Sequence, residues 1–275
     1  MSAGRIARRL RPTSVDRVAL VLRTLILLGL IGIWAVAVQW RWVDPHFVPS
    51  PWSIVTAAVD LLQDPAALEA FRRTGASIVA AFAIGCSTGI VAACVLAASP
   101  LLREALSAPL SFVLSTPKSI FLPVFTLIFG LGGASAAAFG AFESFFYVVI
   151  NVLGGLGLVE QRHLRVARAF GAKRRHRYAD VILPSALPGI FAALWYGIKH
   201  AFLGVMIAQL WASDGGIGPL MRTYSSALRT DYVMAIVLLI TLVAVAAGIA
   251  WSGAEQRLSR WRGVGLGSVV AAAPA

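Results

Sequence analysis

The stretch GASIVAAFAIGCSTGIVAACVLAA, Gly75–Ala98, runs for twenty-four residues without one acid or base. As a helix it rises about 36 Å at roughly 1.5 Å per residue, enough to cross a hydrocarbon layer about 30 Å thick. Lipid offers no hydrogen bonds, so the helix, which satisfies its own backbone groups, is the form such a run must take. Glycine, alanine and serine recur along it and permit close approach by neighbouring helices. Cys86 and Cys94 fall inside the same run, eight positions apart, a placement that fits neither a disulfide framework nor a metal site.

Working towards the N-terminus, Gln39–Thr74 is polar and punctuated by prolines at 45, 49 and 51. Ser50 or Ser53 can cap a short helix through Ile54, Ala58, Leu61 and Leu62, an apolar stripe expected to lie on the membrane surface. Val18–Val38 is a first span, preceded by Arg5, Arg8, Arg9, Arg11 and Arg17 and ending among Trp34, Trp40 and Trp42 as interfacial anchors. Its apolar run exceeds the roughly 7–15 residues of a signal-peptide core, so it is expected to stay in the mature chain.

Towards the C-terminus, Ser99-Pro100 ends the quoted span, and Leu101–Ser107 reads as a short charged connection. Pro109–Leu131 is a third span, which Pro109, Pro117 and Pro123 must kink or interrupt. Ser135–Leu156, Pro188–Trp211 and Val233–Trp251 complete six spans. The fold class is therefore all-α and polytopic: a basic segment 1–17, a membrane domain 18–254 and a tail 255–275.

The net charge of +12 belongs to this topology. Sixteen of the 24 basic residues fall on the side of the N-terminus and five on the other, which places both termini in the cytoplasm. With 59% hydrophobic and 13% charged residues, the chain is a membrane protein, and no nucleic-acid partner is invoked. None of the four histidines stands out as catalytic.

The connection from Glu160 to Pro188 is longer than a turn requires. Leu164, Ala167 and Phe170 recur at helical spacing beside a basic stripe of Arg162, Arg165 and Arg168, and Gly171 is a natural helix stop. Composition leaves two readings: a basic helix drawn to anionic lipid headgroups, or a docking element.

The spacing resembles the loop of importer permeases of the ABC superfamily, in which Glu-Ala-Ala, three residues, Gly and nine residues lead to Ile-x-Leu-Pro. Here Arg165-Val166-Ala167 stands first, Gly171 is the glycine, and Val181-Ile182-Leu183-Pro184 closes the motif. The departure is at the start, where Arg165 replaces the acid and Val166 a small residue. Phe47-Val48-Pro49-Ser50-Pro51, Leu114-Ser115-Thr116-Pro117-Lys118, Leu122-Pro123, Phe129-Gly130-Leu131-Gly132 and Gly215-Gly216-Ile217-Gly218 are similar to permeases of the nitrate, sulfonate and taurine importers.

That resemblance implies a permease dimer, of two copies or a copy and a related chain, whose coupling helix between the fourth and fifth spans docks on a separate ATPase dimer. It also implies a solute-binding protein outside, membrane lipid around the spans, and the plasma (inner) membrane of a prokaryote. The ATPase-coupling residues implied are Leu164, Ala167, Phe170, Gly171, Ala172, Leu183 and Pro184. The chain carries no Walker-type Gly-x-x-x-x-Gly-Lys-Ser/Thr loop, so ATP and Mg are expected on the partner and no cofactor on this chain. No catalytic or metal-binding set is expected either, and the protein is not itself an enzyme.

Charges inside spans are costly and tend to face a cavity or a partner. Lys118, Glu143 and Lys199 are three such charges: either Lys118 pairs with Glu143 and leaves Lys199 to attract an anion, or the pair is purely structural and Lys199 snorkels to the interface. Trp195, Lys199 and Met206 share one face of the fifth span, so a substrate pathway would run past them. The function expected is import of a small anionic solute by alternating access. Its rivals are an ion-coupled carrier using Glu143 and an intramembrane lipid-modifying enzyme.

Overall fold

The computed structural model describes residues 14–157 and 161–258, which are helical with short connections. In chain order the helices are α1 (Ser14–Gln39), α2 (Pro51–Gln63), α3 (Pro65–Ala98), α4 (Pro100–Ser115), α5 (Leu122–Phe129), α6 (Gly133–Gly157), α7 (Gln161–Ala169), α8 (Leu183–Ala212), α9 (Ile217–Ser226) and α10 (Thr230–Leu258). Among the described residues, parts of α1, α3, α6, α8 and α10 are long and apolar enough to cross a membrane, and α4 with the α5 segment makes a sixth candidate, bent at a break. The chain is an all-α polytopic membrane protein.

Several boundaries differ from expectation for local reasons. Helix α3 begins at Pro65, ten residues before Gly75, because Asp64 caps it by accepting the Ala66 N–H at 2.9 Å and proline suits the first turn. The expected charged connection Leu101–Ser107 is helical: Ser99 Oγ accepts the Leu102 N–H at 3.4 Å and Pro100 opens α4. The third span therefore does not run from Pro109 as one kinked rod. It is α4, a 3₁₀ turn over Lys118–Phe121 and then α5, bent by 94°. Helix α8 starts at Leu183 and contains Pro188 instead of beginning there.

The chain divides into two compact units. One comprises the chain up to Gln63 with Tyr224–Leu238. There Ser50 caps α2, accepting the Ser53 N–H at 3.1 Å, and α2 buries Ile54, Ala57, Ala58 and Leu61. Leu62, placed on that stripe from the sequence, is 52% exposed. Tyr232 Oη donates to Asp60 at 2.9 Å and Thr230 Oγ1 to the His46 carbonyl at 2.5 Å.

The other unit comprises Asp64–Thr223 and the chain from Leu239 onward, built on α3, α6 and α8. Small residues let these helices touch backbone to backbone. A Cβ on Gly189 of α8 would strike the Cα of Gly155 on α6, and one on Gly140 of α6 would lie 2.9 Å from the Ala201 carbonyl of α8. Phe139, Val148, Val149, Val152, Ala193, Ala201 and Val205 fill the core between them.

Candidate functional site

Three arrangements stand out as candidate sites. The first is α7 and its exit. The helix ends in paired bonds, from the Gly171 N–H to the Arg168 carbonyl and from the Ala172 N–H to the Ala167 carbonyl, both 2.9 Å, with Gly171 at φ +72°. This is the Schellman motif, and its left-handed position favours glycine because it carries no Cβ. The turn pushes Phe170 into the open, 87% exposed, beside Val166 at 54%. Arg165 and Arg168 are exposed, while Ala167, Ala172 and Pro184 are half-buried. Leu164 and Leu183 stand in helices, and their side chains lie outside what is described, as does Glu160. A π-helical turn, Arg177–Ile182, then leads into α8.

The second is a buried polar cluster. Lys118, at the break of the third span, and Glu143 of α6 are 6% and 5% exposed, with Lys118 Nζ 3.6 Å from Glu143 Oε2. The same oxygen lies 3.8 Å from Nδ1 of His200 on α8. The His200 ring stacks on Tyr147, over which Lys118 Nζ sits 4.9 Å from the centroid. His200 and Tyr147 were not singled out from the sequence, although Tyr147 stands one helical turn beyond Glu143 and faces the same way. Lys199, adjacent to His200 but on another face, is exposed, with its Nζ 5.3 Å from the Tyr196 ring and 5.9 Å from Trp195. Trp195 stacks on Trp251 at 5.8 Å, and Met206 is half-buried. The structure thus brings Lys118 to Glu143 and Lys199 to Trp195.

The third, also unforeseen, is a knot at the end of α8. Gln209 is 1% exposed, and its Oε1 lies 2.7 Å from Thr74 Oγ1, which in turn accepts the Ile217 N–H at 2.9 Å. Arg222 donates to the carbonyls of Gln209, Leu210 and Ser213, satisfying the groups a helix end leaves open. A Cβ on Gly218 would meet the Gln209 carbonyl, so this Gly215–Gly218 turn closes on the knot only because its glycines are bare. Among the described residues no group of acids, histidines and cysteines is placed to hold a metal.

Residues 85–262 match the family described as binding-protein-dependent transport system inner membrane component. The chain is 26% identical over 243 residues to the taurine transport system permease protein of Escherichia coli K12, covering 85% of this chain and 87% of that one. It is 27% identical over 236 residues to the putative aliphatic sulfonates transport permease protein of Bacillus subtilis, covering 85% and 84%. It is also 24% identical over 243 residues to the formylaminopyrimidine transport permease protein of Halalkalibacterium halodurans, covering 87% and 95%.

Proposed function

Given that this chain belongs to the family of inner membrane components of binding-protein-dependent transport systems, we propose that it moves a small anionic solute by alternating access, driven by ATPase subunits that dock at Phe170, Gly171 and Ala172. It is the multi-pass permease subunit of an ABC importer, a transport component whose ATP is hydrolysed by a separate subunit and whose solute comes from a binding protein. The carrying observation is the exit of α7. A phenylalanine 87% exposed on a basic helix, held out by a glycine-dependent turn, suits insertion into a partner's cleft better than contact with water.

On this reading both termini and α7 face the cytoplasm, ATP and Mg sit on the partner, and two permease chains flank the path. Leu164, Ala167, Leu183 and Pro184 complete the proposed coupling set. Support for an anion is the charge in the spans. Lys199 is exposed on α8, and among the described residues no carboxylate pairs with it. Lys118 is already matched by Glu143. A cation in a low-dielectric path attracts an anion far more strongly than it would in water. The taurine and aliphatic sulfonates in the names of two relatives point the same way.

The test is uptake of labelled taurine into proteoliposomes holding the permease, its ATPase and its binding protein. Uptake that requires ATP is expected. Uptake driven by an ion gradient without ATP would establish the carrier reading in its place.

A further inference from the structure

The 94° break between α4 and α5 is held in two ways. Leu122 and Phe125 belong to the apolar cluster around Phe139, and Lys118, the one buried residue of the Lys118–Phe121 turn, meets Glu143. Helix α4 buries no residue at all. The apolar attachment is a run of rings: Phe125 lies edge-on to Phe139 at 5.5 Å, and Phe121 edge-on to Phe142 at 5.6 Å. The rings pack the turn against α6 in edge-on geometry, and the charge pair adds a polar contact at its start.

A buried ion pair resists opening because each charge would be left bare. This one is built differently. The Nζ–Oε2 separation of 3.6 Å is longer than a good hydrogen bond. Lys118 already lies over the Tyr147 ring, whose face can hold the ammonium. Glu143 Oε2 also faces His200 Nδ1, a buried nitrogen with no hydrogen bond of its own. Each charge thus has a second group nearby, the Tyr147 ring for Lys118 and His200 for Glu143, which lowers the cost of parting them.

We infer that the Lys118–Glu143 pair is a release latch on the broken span, with Glu143, Tyr147 and His200 as positioning residues that act through Lys118. Closed, it sets the turn against α6. In the opposite state of the cycle the turn withdraws along the rings, and Glu143 is held by His200 while Lys118 is free of it. The inference rests on the alternating-access reading above, and it makes Lys118 a moving part of the permease instead of a solute contact.

The first test locks the latch. In a background of Cys86→Ala and Cys94→Ala, Phe121→Cys and Phe142→Cys are joined by a short reducible bis-thiol reagent, in the complex with ATPase and solute-binding protein. ATP turnover is expected to fall about ten-fold on linking and return on reduction. Equal turnover in linked and reduced complexes would overturn the latch. The second test exchanges the charges. Lys118→Glu and Glu143→Lys should each cost about ten-fold in turnover, and together should recover to within about three-fold of the unsubstituted chain. A double variant that assembles but turns over no faster than either single one would sink the latch. Failure of the transport reading would show elsewhere, as an unsubstituted chain that binds no ATPase.

Discussion

Gly171 and Lys199 are the residues on which the functional reading bears hardest. Nothing lies within 4 Å of a Cβ built on Gly171, so a side chain there meets open space and pays only for φ +72°, roughly 1–2 kcal/mol. Gly171→Tyr is therefore expected to insert and fold, and to lose transport because the added ring occupies the docking turn. Normal assembly with uptake at the unsubstituted rate would remove Phe170–Ala172 from the contact. Lys199→Met keeps the stem and deletes the charge, and uptake of an anion should fall about ten-fold with the ATPase still bound. Uptake unchanged by that substitution would leave the anionic solute resting on the relatives' names. Gly171 was legible in the sequence because a glycine at a fixed distance after an amphipathic stripe has one common use. His200 was not: a lone histidine in an apolar helix gives no sign of which face it occupies, and only the neighbouring helices turn it towards Glu143.

At the scale of elements, length and hydropathy located the apolar cores of the spans, and caps moved their ends. Asp64 and Ser99 start helices ahead of prolines, and both signals sit in the sequence as a short polar residue before Pro65 and Pro100. The 94° break was legible as prolines 117 and 123, but its angle depends on packing that no local rule supplies. The α6–α8 crossing depends on two bare backbones, so Gly155→Val should destabilise the fold by about 3 kcal/mol, the upper end of overpacking costs. A midpoint of thermal unfolding in detergent that does not drop would contradict the crossing. The knot is sensitive in another way. Thr74→Val leaves the Ile217 N–H and the Gln209 amide without their partner, a loss of about 2 kcal/mol that the same melt should register.

For the whole molecule, the proposed topology of six crossings with both termini inside would place Asp64, the cap of α3, on the outer face. A cysteine at Asp64, in a chain lacking Cys86 and Cys94, should react with a membrane-impermeant thiol reagent added to intact cells. Labelling only after the cells are opened would overturn the orientation. The family and the apolar spans were readable from motif spacing and hydropathy. The buried cluster was half-readable: Lys118 and Glu143 stood out as charges in lipid, whereas Tyr147 and His200 became partners only once three helices had assembled. The bared Phe170 also bears on the life of the protein before it works. A permease synthesised without its ATPase holds an aromatic ring and Val166 in water, the kind of surface that quality-control proteases and chaperones recognise. On the proposed docking, permease left without its ATPase would be the form that such systems clear first.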